Sequence, residues 1–310
     1  MLYQDVRPTT LNKVFGNKAA KAQLQRALDN PDNRAHVYLF YGASGCGKTT
    51  LARIMGLSLT NDPSNIIEIN AANERGVATA RELDKFARHT PLGGGNRVVL
   101  LDEAHMLTSE AQNCLLKTLE DIPPHCYYFL CSTEPKKLKP TIRGRAELVE
   151  VAPLKKDDLF DLIDDVLVQD SDRIPDPGDD VIAAIVRACE GCPRQALVLL
   201  EQTIGMEPLD ALNIVKRHLN GASEMIELCR KMVERTKSWN GLVKIYNALE
   251  DHDPERVRRC LMGYFAGCLK RSKSDAEGGK FADMILDLSE NTYDAGEPKL
   301  LAMMFTAYNR

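Results

Sequence analysis

Three glycines, a lysine and two threonines follow a short apolar run near the start of the chain. The run is Val37 to Phe40, and residues 42–49 read GASGCGKT, a complete GxxxxGK[ST] motif that opens a helical stretch at Lys48. Glycines let successive backbone N–H groups face an anion, and a helix N-terminus adds positive potential. The motif predicts that ATP binds here, with the Lys48 ammonium on the β- and γ-phosphates and the Thr49 hydroxyl on Mg²⁺. The nucleotide-binding residues predicted from this segment are Gly42, Gly45, Cys46, Gly47, Lys48, Thr49 and Thr50.

Two carboxylates follow a second apolar run, Val98 to Leu101. Asp102 is predicted to hold Mg²⁺ through its water shell, and Glu103 to polarise the water that attacks the γ-phosphate. An acidic pair at a strand end is by itself most often a solvated loop. The phosphate-binding motif upstream favours the catalytic interpretation.

Apolar runs separated by helical stretches predict an α/β domain with a parallel sheet. The predicted strands are Val37–Phe40, Ile66–Ile69, Val98–Leu101, Tyr127–Cys131 and Leu148–Val151. Residues 153–218 carry only helical spacing, and residues 219–310 are again helical, with a polar loop predicted at Ser272–Lys280. We therefore expect a nucleotide-binding domain over 1–152, a small helical domain over 153–218 and an all-α domain over 219–310.

The composition excludes several classes of protein. The chain has 310 residues and a formal net charge of −4, so contact with nucleic acid requires a local basic face. Nine scattered cysteines predict a reducing compartment, and the pair Cys189 and Cys192 lacks a second pair for a zinc site. We expect no membrane span and no secretion signal, and hence a cytoplasmic protein.

One helical stretch, Ala78 to His89, supplies such a basic face. Arg81, Lys85 and Arg88 recur at helical spacing on one side, and apolar residues occupy another. A stripe of this kind can follow phosphates without reading bases. Glu82 and Asp84 interrupt the positive charge, so an ordinary solvated face remains an alternative.

Several further segments resemble the clamp-loader family of AAA+ ATPases, which includes the small subunits of replication factor C and the motor subunits of bacterial and phage loaders. The matching segments are 6–11 (VRPTTL, with Val6 where the family has tyrosine), 69–76 (INAANERG), 105–108 (HMLT) and 115–120 (LLKTLE). The likeness covers about residues 3–204. It implies an AAA+ fold in which the second domain is a lid and the third an oligomerisation collar.

The resemblance also implies roles for single residues. Arg7 would contact the nucleotide, Thr133 would be sensor 1, and Arg194 in the segment GCPRQAL would be sensor 2. Arg145 would be the arginine finger that reaches a neighbouring subunit's nucleotide, although Gly144 and Ala146 replace the family's serine and cysteine, and Arg143 competes for the role. The catalytic residues predicted are Lys48, Glu103, Thr133, Arg145 and Arg194.

For the basic helix the resemblance implies contact with DNA. The DNA-binding residues predicted are Arg75, Arg81, Lys85 and Arg88. We expect Arg75 to restrain Glu103 until DNA draws it away. Phe86, Pro91 or Leu92 would touch the sliding clamp, and a plain turn is the alternative for that segment.

The function implied is that of an ATPase motor subunit that opens a sliding clamp and places it on primer–template DNA. Its partners would be copies of itself and a different companion subunit in a pentamer-like spiral, with no membrane involved. The expected compartment is the cytoplasm, that of a host cell for a viral protein, or the nucleus in a eukaryote. Residues 51–97 contain no cysteine, unlike the zinc module of bacterial motor subunits, so the chain looks more like the phage or replication-factor-C type.

Two other functions stay open. One is a structural subunit that binds nucleotide without turning it over, although every expected catalytic residue is present. The other is a different DNA-associated AAA+ motor, such as a branch-migration motor. That class would be expected to end in a winged-helix domain with strands, whereas residues 221–310 are predicted to be helical.

Overall fold

The computed structural model describes residues 1–60, 62–91, 94–169, 174–235, 238–249, 253–292 and 295–309. The chain divides into two compact units, Met1–Leu212 and Asn213–Arg310. Residues 153–212 fall in the same unit as the sheet. The division into three domains at 152 and 218 therefore stays a prediction.

The first unit is built on a five-stranded parallel sheet. The strands are β1 (Val37–Tyr41), β2 (Ile66–Asn70), β3 (Arg97–Asp102), β4 (Cys126–Ser132) and β5 (Glu147–Glu150). Their order is β2-β3-β4-β1-β5, so all five predicted strands are confirmed. Because parallel strands end at one edge, Asp102 at the end of β3 and Ser132 at the end of β4 lie near the loop that follows β1.

Helices cover both faces of the sheet. Those that precede residue 153 are α1 (Leu2–Asp5), α2 (Lys18–Asp29), α3 (Lys48–Thr60), α4 (Val77–Arg88), α5 (Ser109–Glu120) and α6 (Pro140–Arg143). Successive side chains along each strand point to opposite faces of the sheet and pack into two separate hydrophobic cores. Tyr38, Phe40 and Phe129 pack towards α2 and α3 with rings in edge-to-face contact, whereas Leu39 and Leu101 pack towards α4 and α5. Burial on both faces explains why the strands are almost continuously apolar.

Three helices follow the sheet within the first unit, as predicted: α7 (Lys156–Gln169), α8 (Asp179–Ala188) and α9 (Pro193–Thr203). Gly191 precedes α9 with a φ of +86°, and an added Cβ would lie 2.8 Å from the Leu154 carbonyl oxygen. The Leu154 N–H donates to the Gly191 carbonyl oxygen at 2.8 Å. This close approach holds the start of α9 beside the segment that leaves β5.

The second unit contains only helices among its described residues. After α10 (Pro208–Glu234) come α11 (Trp239–Ala248), α12 (Pro254–Leu269), α13 (Asp275–Asp287) and α14 (Gly296–Asn309). Residues such as Leu242, Leu261, Phe265, Met284 and Leu300 form its core.

The loop predicted at Ser272–Lys280 is wrong, because α13 begins at Asp275 and runs through it. Ser274 caps this helix by accepting a hydrogen bond from the Glu277 N–H, and Phe281 and Met284 are buried. The N-cap and the apolar face outweigh the helix-weakening effect of the glycines at 278 and 279.

A buried ion cluster stabilises the second unit. Glu255, 3% exposed, accepts hydrogen bonds from the guanidinium groups of Arg258 at 2.8 Å and Arg259 at 3.0 Å. The Thr292 N–H and hydroxyl bind the same carboxylate at 3.0 Å each. The Arg258 hydrogen bond is the main cause that holds the pKa of Glu255 well below its ordinary value of 4.5, and the Thr292 and Arg259 bonds add to it against the opposing effect of burial.

We predict that Glu255→Gln lowers the free energy of unfolding at neutral pH by about 3 kcal/mol, because it removes the charged carboxylate that binds buried Arg258. The pKa of Glu255 is lowered in the folded state. Its stabilisation is therefore fully present above about pH 4.5, the ordinary value, and is lost as the pH falls towards the folded pKa. Urea unfolding at neutral and acidic pH measures both effects.

The matched control is Glu290→Gln, since Glu290 forms an exposed pair with Lys299 at 3.1 Å. Its loss should stay below about 1 kcal/mol. Equal losses in the two variants would contradict this account of the cluster.

Candidate nucleotide-binding site

The loop between β1 and α3 has a backbone that only glycine accommodates at two points. Gly42 has a φ of +151°, and an added Cβ would lie 2.0 Å from the Val151 carbonyl oxygen. Gly45 has a φ of +74°, and its Cβ would lie 2.5 Å from Cys192 Sγ. The loop is thus folded closely between the segment after β5 and the start of α9, which fixes where its N–H groups lie.

Lys48, the first residue of α3, is only 5% exposed. Its Nζ donates to the carbonyl oxygens of Gly42 at 3.1 Å and Ala43 at 2.8 Å. It forms no ion pair within the described part of the chain. A buried ammonium group held only by carbonyl oxygens at a helix N-terminus is a ready site for an anion.

Cys46 contributes backbone rather than thiol chemistry to this loop. Its side chain is buried, and burial, followed by the neighbouring Cys192 thiol, raises its pKa above the ordinary value. A buried thiol with a raised pKa is a poor nucleophile at neutral pH.

Asp102 is held in a fixed orientation at the end of β3. The Thr49 hydroxyl donates to its Oδ2 at 3.0 Å, and the Glu103 N–H donates to its Oδ1 at 3.0 Å. A hydroxyl and a carboxylate in contact beside a phosphate-binding loop are the oxygen ligands that Mg²⁺ prefers, with waters and phosphate oxygens completing the shell. The donor set therefore fits the predicted Mg²⁺ ligands, Thr49 and Asp102.

Glu103 has an unusual backbone conformation, with a φ of +48° and a ψ of +41°. The left-handed region costs a non-glycine residue about 1 kcal/mol or more, and such residues concentrate at functional sites. The Thr133 hydroxyl, just after β4, donates to Glu103 Oε2 at 3.1 Å. The structure thus joins the predicted base and the predicted sensor 1 directly.

His105 is a neighbour of Glu103 that the sequence analysis did not assign. Its Nδ1 lies 3.4 Å from Glu103 Oε2 and 3.2 Å from Ser132 Oγ. The signal in the sequence was a histidine two residues after the predicted base. The sequence alone does not show that His105 is buried, because its burial depends on the contact with Ser132 at the end of β4.

A cavity of about 460 Å³ connects these groups. Residues 44–51 line one side, Asp102 and Glu103 another, and parts of the N-terminal segment, α7 and α9 enclose the rest. The predicted residues that line it are Arg7, Gly45, Cys46, Gly47, Lys48, Thr49, Thr50, Asp102, Glu103 and Arg194. The structure therefore brings most of the predicted nucleotide site together in one concave space.

Arg194 reaches the cavity from the first turn of α9. Its backbone N–H donates to the Gly45 carbonyl oxygen at 3.5 Å. Its guanidinium carbon lies 5.6 Å from the centre of the Tyr3 ring. Tyr3 was not predicted from the sequence, because it belongs to the short helix α1, far from α9 along the chain. It lines the same cavity.

The two candidate arginine fingers do not line the chain's own cavity. Arg145 is exposed and binds Glu120 at 2.8 Å and the Thr141 carbonyl oxygen at 3.2 Å. Arg143 is half-buried, and its Nε has no hydrogen-bond partner among the described residues. Gly144 has an ordinary helical backbone, so it places no special demand on the turn before Arg145.

The basic face of α4 is solvent-exposed, as predicted from its spacing. Arg81 and Lys85 are exposed, and no ion pair holds either of them among the described residues. Arg88 instead binds Asp84 at 2.9 Å, the main cause that raises its pKa above the ordinary value. Two free cations and one paired cation therefore remain of the predicted stripe.

Arg75 precedes α4 and does not contact Glu103 in this structure. Its Nε donates to the Ala72 carbonyl oxygen at 3.0 Å. The Thr133 hydroxyl donates to Glu103 Oε2, and His105 Nδ1 lies 3.4 Å from the same oxygen, while the restraint of Glu103 by Arg75 stays a prediction.

The residues predicted to touch a clamp are partly packed inside the protein. Pro91 is buried, and Arg97 covers the Phe86 ring at 4.3 Å. Leu92 lies outside the described residues. Among the described residues, none of the helices has both the length and the apolar character that crossing a membrane requires.

A family model described as DNA polymerase III, delta subunit, matches residues 63–155. The chain is 34% identical over 226 residues to the DNA polymerase III subunit gamma/tau of Mycobacterium tuberculosis, covering 66% of this chain and 38% of that protein. It is 33% identical over 199 residues to the replication factor C small subunit of Methanococcus maripaludis, covering 63% and 62% respectively. The chain thus spans less than two thirds of the length of these relatives.

Solved structures support the fold. The RuvB Holliday junction branch migration motor of Thermotoga maritima superimposes with a TM-score of 0.57 at 20% identity, covering 78% of this chain and 85% of that one. This likeness shows a similar fold, a parallel sheet followed by helices. The chain belongs to the clamp-loader family of AAA+ proteins.

Proposed function

We propose that this chain is an ATPase motor subunit of a DNA sliding-clamp loader. It would use ATP binding and hydrolysis to open the clamp and place it on primer–template DNA. The observation that carries the proposal is the convergence of Lys48, Asp102 and Glu103 on one cavity. Membership of the clamp-loader family supports the clamp and the DNA as partners.

The geometry supports separate roles for these residues in hydrolysis: binding the phosphates, holding Mg²⁺ and activating the water. The loop N–H groups and Lys48 bind the β- and γ-phosphates, which replace the Gly42 and Ala43 carbonyl oxygens as partners of the ammonium group. Mg²⁺, when bound by Thr49 and Asp102, supplies positive charge to the phosphate oxygens. Glu103 orients the attacking water and accepts its proton, and Arg194 adds positive charge from α9.

A neighbouring copy would complete the site. Arg145 is exposed and bound to Glu120 rather than directed into its own cavity, which favours action in a second subunit. The all-helical second unit would serve as the oligomerisation collar, with a companion subunit closing the spiral. We place this assembly in the cytoplasm of a cell or of the host of a virus.

The basic face of α4 would contact the primer–template DNA. Arg81 and Lys85 are exposed cations without ion-pair partners in the described structure, so their contact with DNA would break no ion pair of their own. Phosphate contacts of this kind give affinity without sequence preference, which suits a protein that must load clamps at any primer end.

We predict that Glu103→Gln abolishes turnover while retaining ATP. The amide keeps the shape of the side chain but cannot accept a proton, so kcat should fall about 100-fold or more. Fluorescent-nucleotide titration and steady-state phosphate release measure affinity and turnover on the same preparation. Glu110→Gln, on the exposed first turn of α5, is the matched control. Unchanged turnover in Glu103→Gln would contradict the assignment of the base.

We also predict that the double variant Arg81→Ala, Lys85→Ala weakens DNA binding. Loss of two phosphate contacts should reduce the slope of log K against log salt by about 2. Fluorescence anisotropy with labelled primer–template DNA at several salt concentrations measures that slope. Lys155→Ala, Lys156→Ala removes the same charge from exposed positions beside α7 and is the control. An equal change in slope for both pairs would mean that only net charge matters.

A further inference from the structure

His105 lies between two carboxylates at the carboxyl edge of the sheet. Its Nδ1 is 3.4 Å from Glu103 Oε2, and its Nε2 is 3.7 Å from Glu134 Oε1. Its side chain is only 5% exposed, whereas those of Glu103 and Glu134 are 29% and 53% exposed. A buried imidazole thus faces the proposed base on one side and a more exposed carboxylate on the other.

Ser132 fixes the ring from the end of β4. This fully buried serine places its Oγ 3.2 Å from His105 Nδ1, and the same Oγ accepts a hydrogen bond from the Glu134 N–H at 3.1 Å. Its carbonyl oxygen accepts from the Gly42 N–H at 3.4 Å. One residue therefore touches the phosphate-binding loop, the imidazole and the turn that carries Glu134.

Each ring nitrogen faces a carboxylate oxygen, Nδ1 that of Glu103 and Nε2 that of Glu134. Nδ1 faces the oxygen of an acidic side chain and a hydroxyl oxygen that already accepts one hydrogen bond. A lone pair on Nδ1 would face the Glu103 carboxylate unfavourably, whereas an N–H there is attracted to it. A proton on Nδ1 points an N–H towards Glu103, whereas a proton on Nε2 points one towards Glu134.

Thr133 and His105 both approach the same oxygen of Glu103. The Thr133 hydroxyl donates to Oε2 at 3.1 Å, and His105 Nδ1 approaches Oε2 at 3.4 Å. No hydrogen bond holds Oε1 among the described residues. The carboxylate is thus fixed through one oxygen, and the other is left for a water molecule.

We propose that His105, with its proton on Nδ1, is a positioning residue for Glu103, which sets the direction of its free oxygen towards the attacking water. This inference rests on the proposed hydrolysis of ATP. Thr133 alone would leave the carboxylate able to rotate about its single hydrogen bond. The second donor from His105 defines its plane, because three points fix an orientation that two do not.

Two substitutions separate this role from simple filling of a buried space. His105→Asn places an amide nitrogen where Nδ1 lies, whereas His105→Gln places one near Nε2, on the side of Glu134. Both replacement side chains are polar, and neither is much larger than the imidazole. A residue needed only for packing would tolerate the two amides about equally, but a positioning residue requires the nitrogen that faces Glu103.

The experiment measures kcat for ATP, nucleotide affinity and thermal stability of the full-length chain. His105→Gln should lower kcat about tenfold while the Kd for nucleotide stays within about twofold, because only placement of the base is lost. His105→Asn should recover most of the lost turnover. His36→Gln is the matched control, since His36 binds the Cys126 carbonyl oxygen at 2.7 Å at the opposite edge of the sheet.

Three results would overturn the inference. Wild-type kcat in His105→Gln would mean that the imidazole does not act on the base. Equal loss of kcat in both variants, with nucleotide affinity falling in parallel, would assign His105 to packing. Absence of Glu103-dependent turnover in the unmodified chain would overturn the proposed function and this inference together, which separates the two kinds of failure.

Discussion

A buried positive charge with no negative partner is the feature on which the rest of the first unit depends. Lys48 is 5% exposed, and two carbonyl oxygens are its only hydrogen-bond acceptors in the described structure. Burying an ammonium group in this way costs free energy that an anionic ligand would recover. The closely packed Gly42 and Gly45 hold the loop that presents it, and Asp102 lies across the cavity, held by Thr49 rather than by the lysine. The site therefore keeps its cation and its carboxylates apart, as a polyphosphate with Mg²⁺ between them requires.

The sheet order makes this separation possible. β1 lies beside β4, and β4 beside β3, so the loop after β1, Thr133 after β4 and Glu103 after β3 meet at one edge. The left-handed turn at Glu103 directs its side chain, and that of His105, towards the end of β4. Strain at this residue is offset by hydrogen bonds from Thr133 and to Asp102, so catalytic geometry and fold stability share the same contacts.

Local patterns made the strands and the phosphate-binding loop predictable, because an apolar run followed by GASGCGKT specifies both within about a dozen residues. The helix α13 was missed for a physical reason: glycines weaken a helix, but the Ser274 cap and buried Phe281 restore it, and burial is not visible in the sequence. Contacts of long sequence separation were equally hidden. The contact of Tyr3 with Arg194 and that of Ser132 with His105 each join segments that are far apart in the sequence, so no local pattern predicts them. The expected contact of Arg75 with Glu103 came from resemblance alone. In this structure the Arg75 guanidinium donates to the Ala72 carbonyl oxygen instead.

In the proposed assembly, copies of this chain complete one another's ATP sites and respond to DNA. Steady-state ATPase activity measured against protein concentration, with and without primer–template DNA, tests it most directly. We expect activity per chain to rise with concentration, as Arg145 of one copy enters the site of the next, and to rise further with DNA. Constant activity per chain that is indifferent to DNA would contradict it and would indicate a self-contained P-loop ATPase.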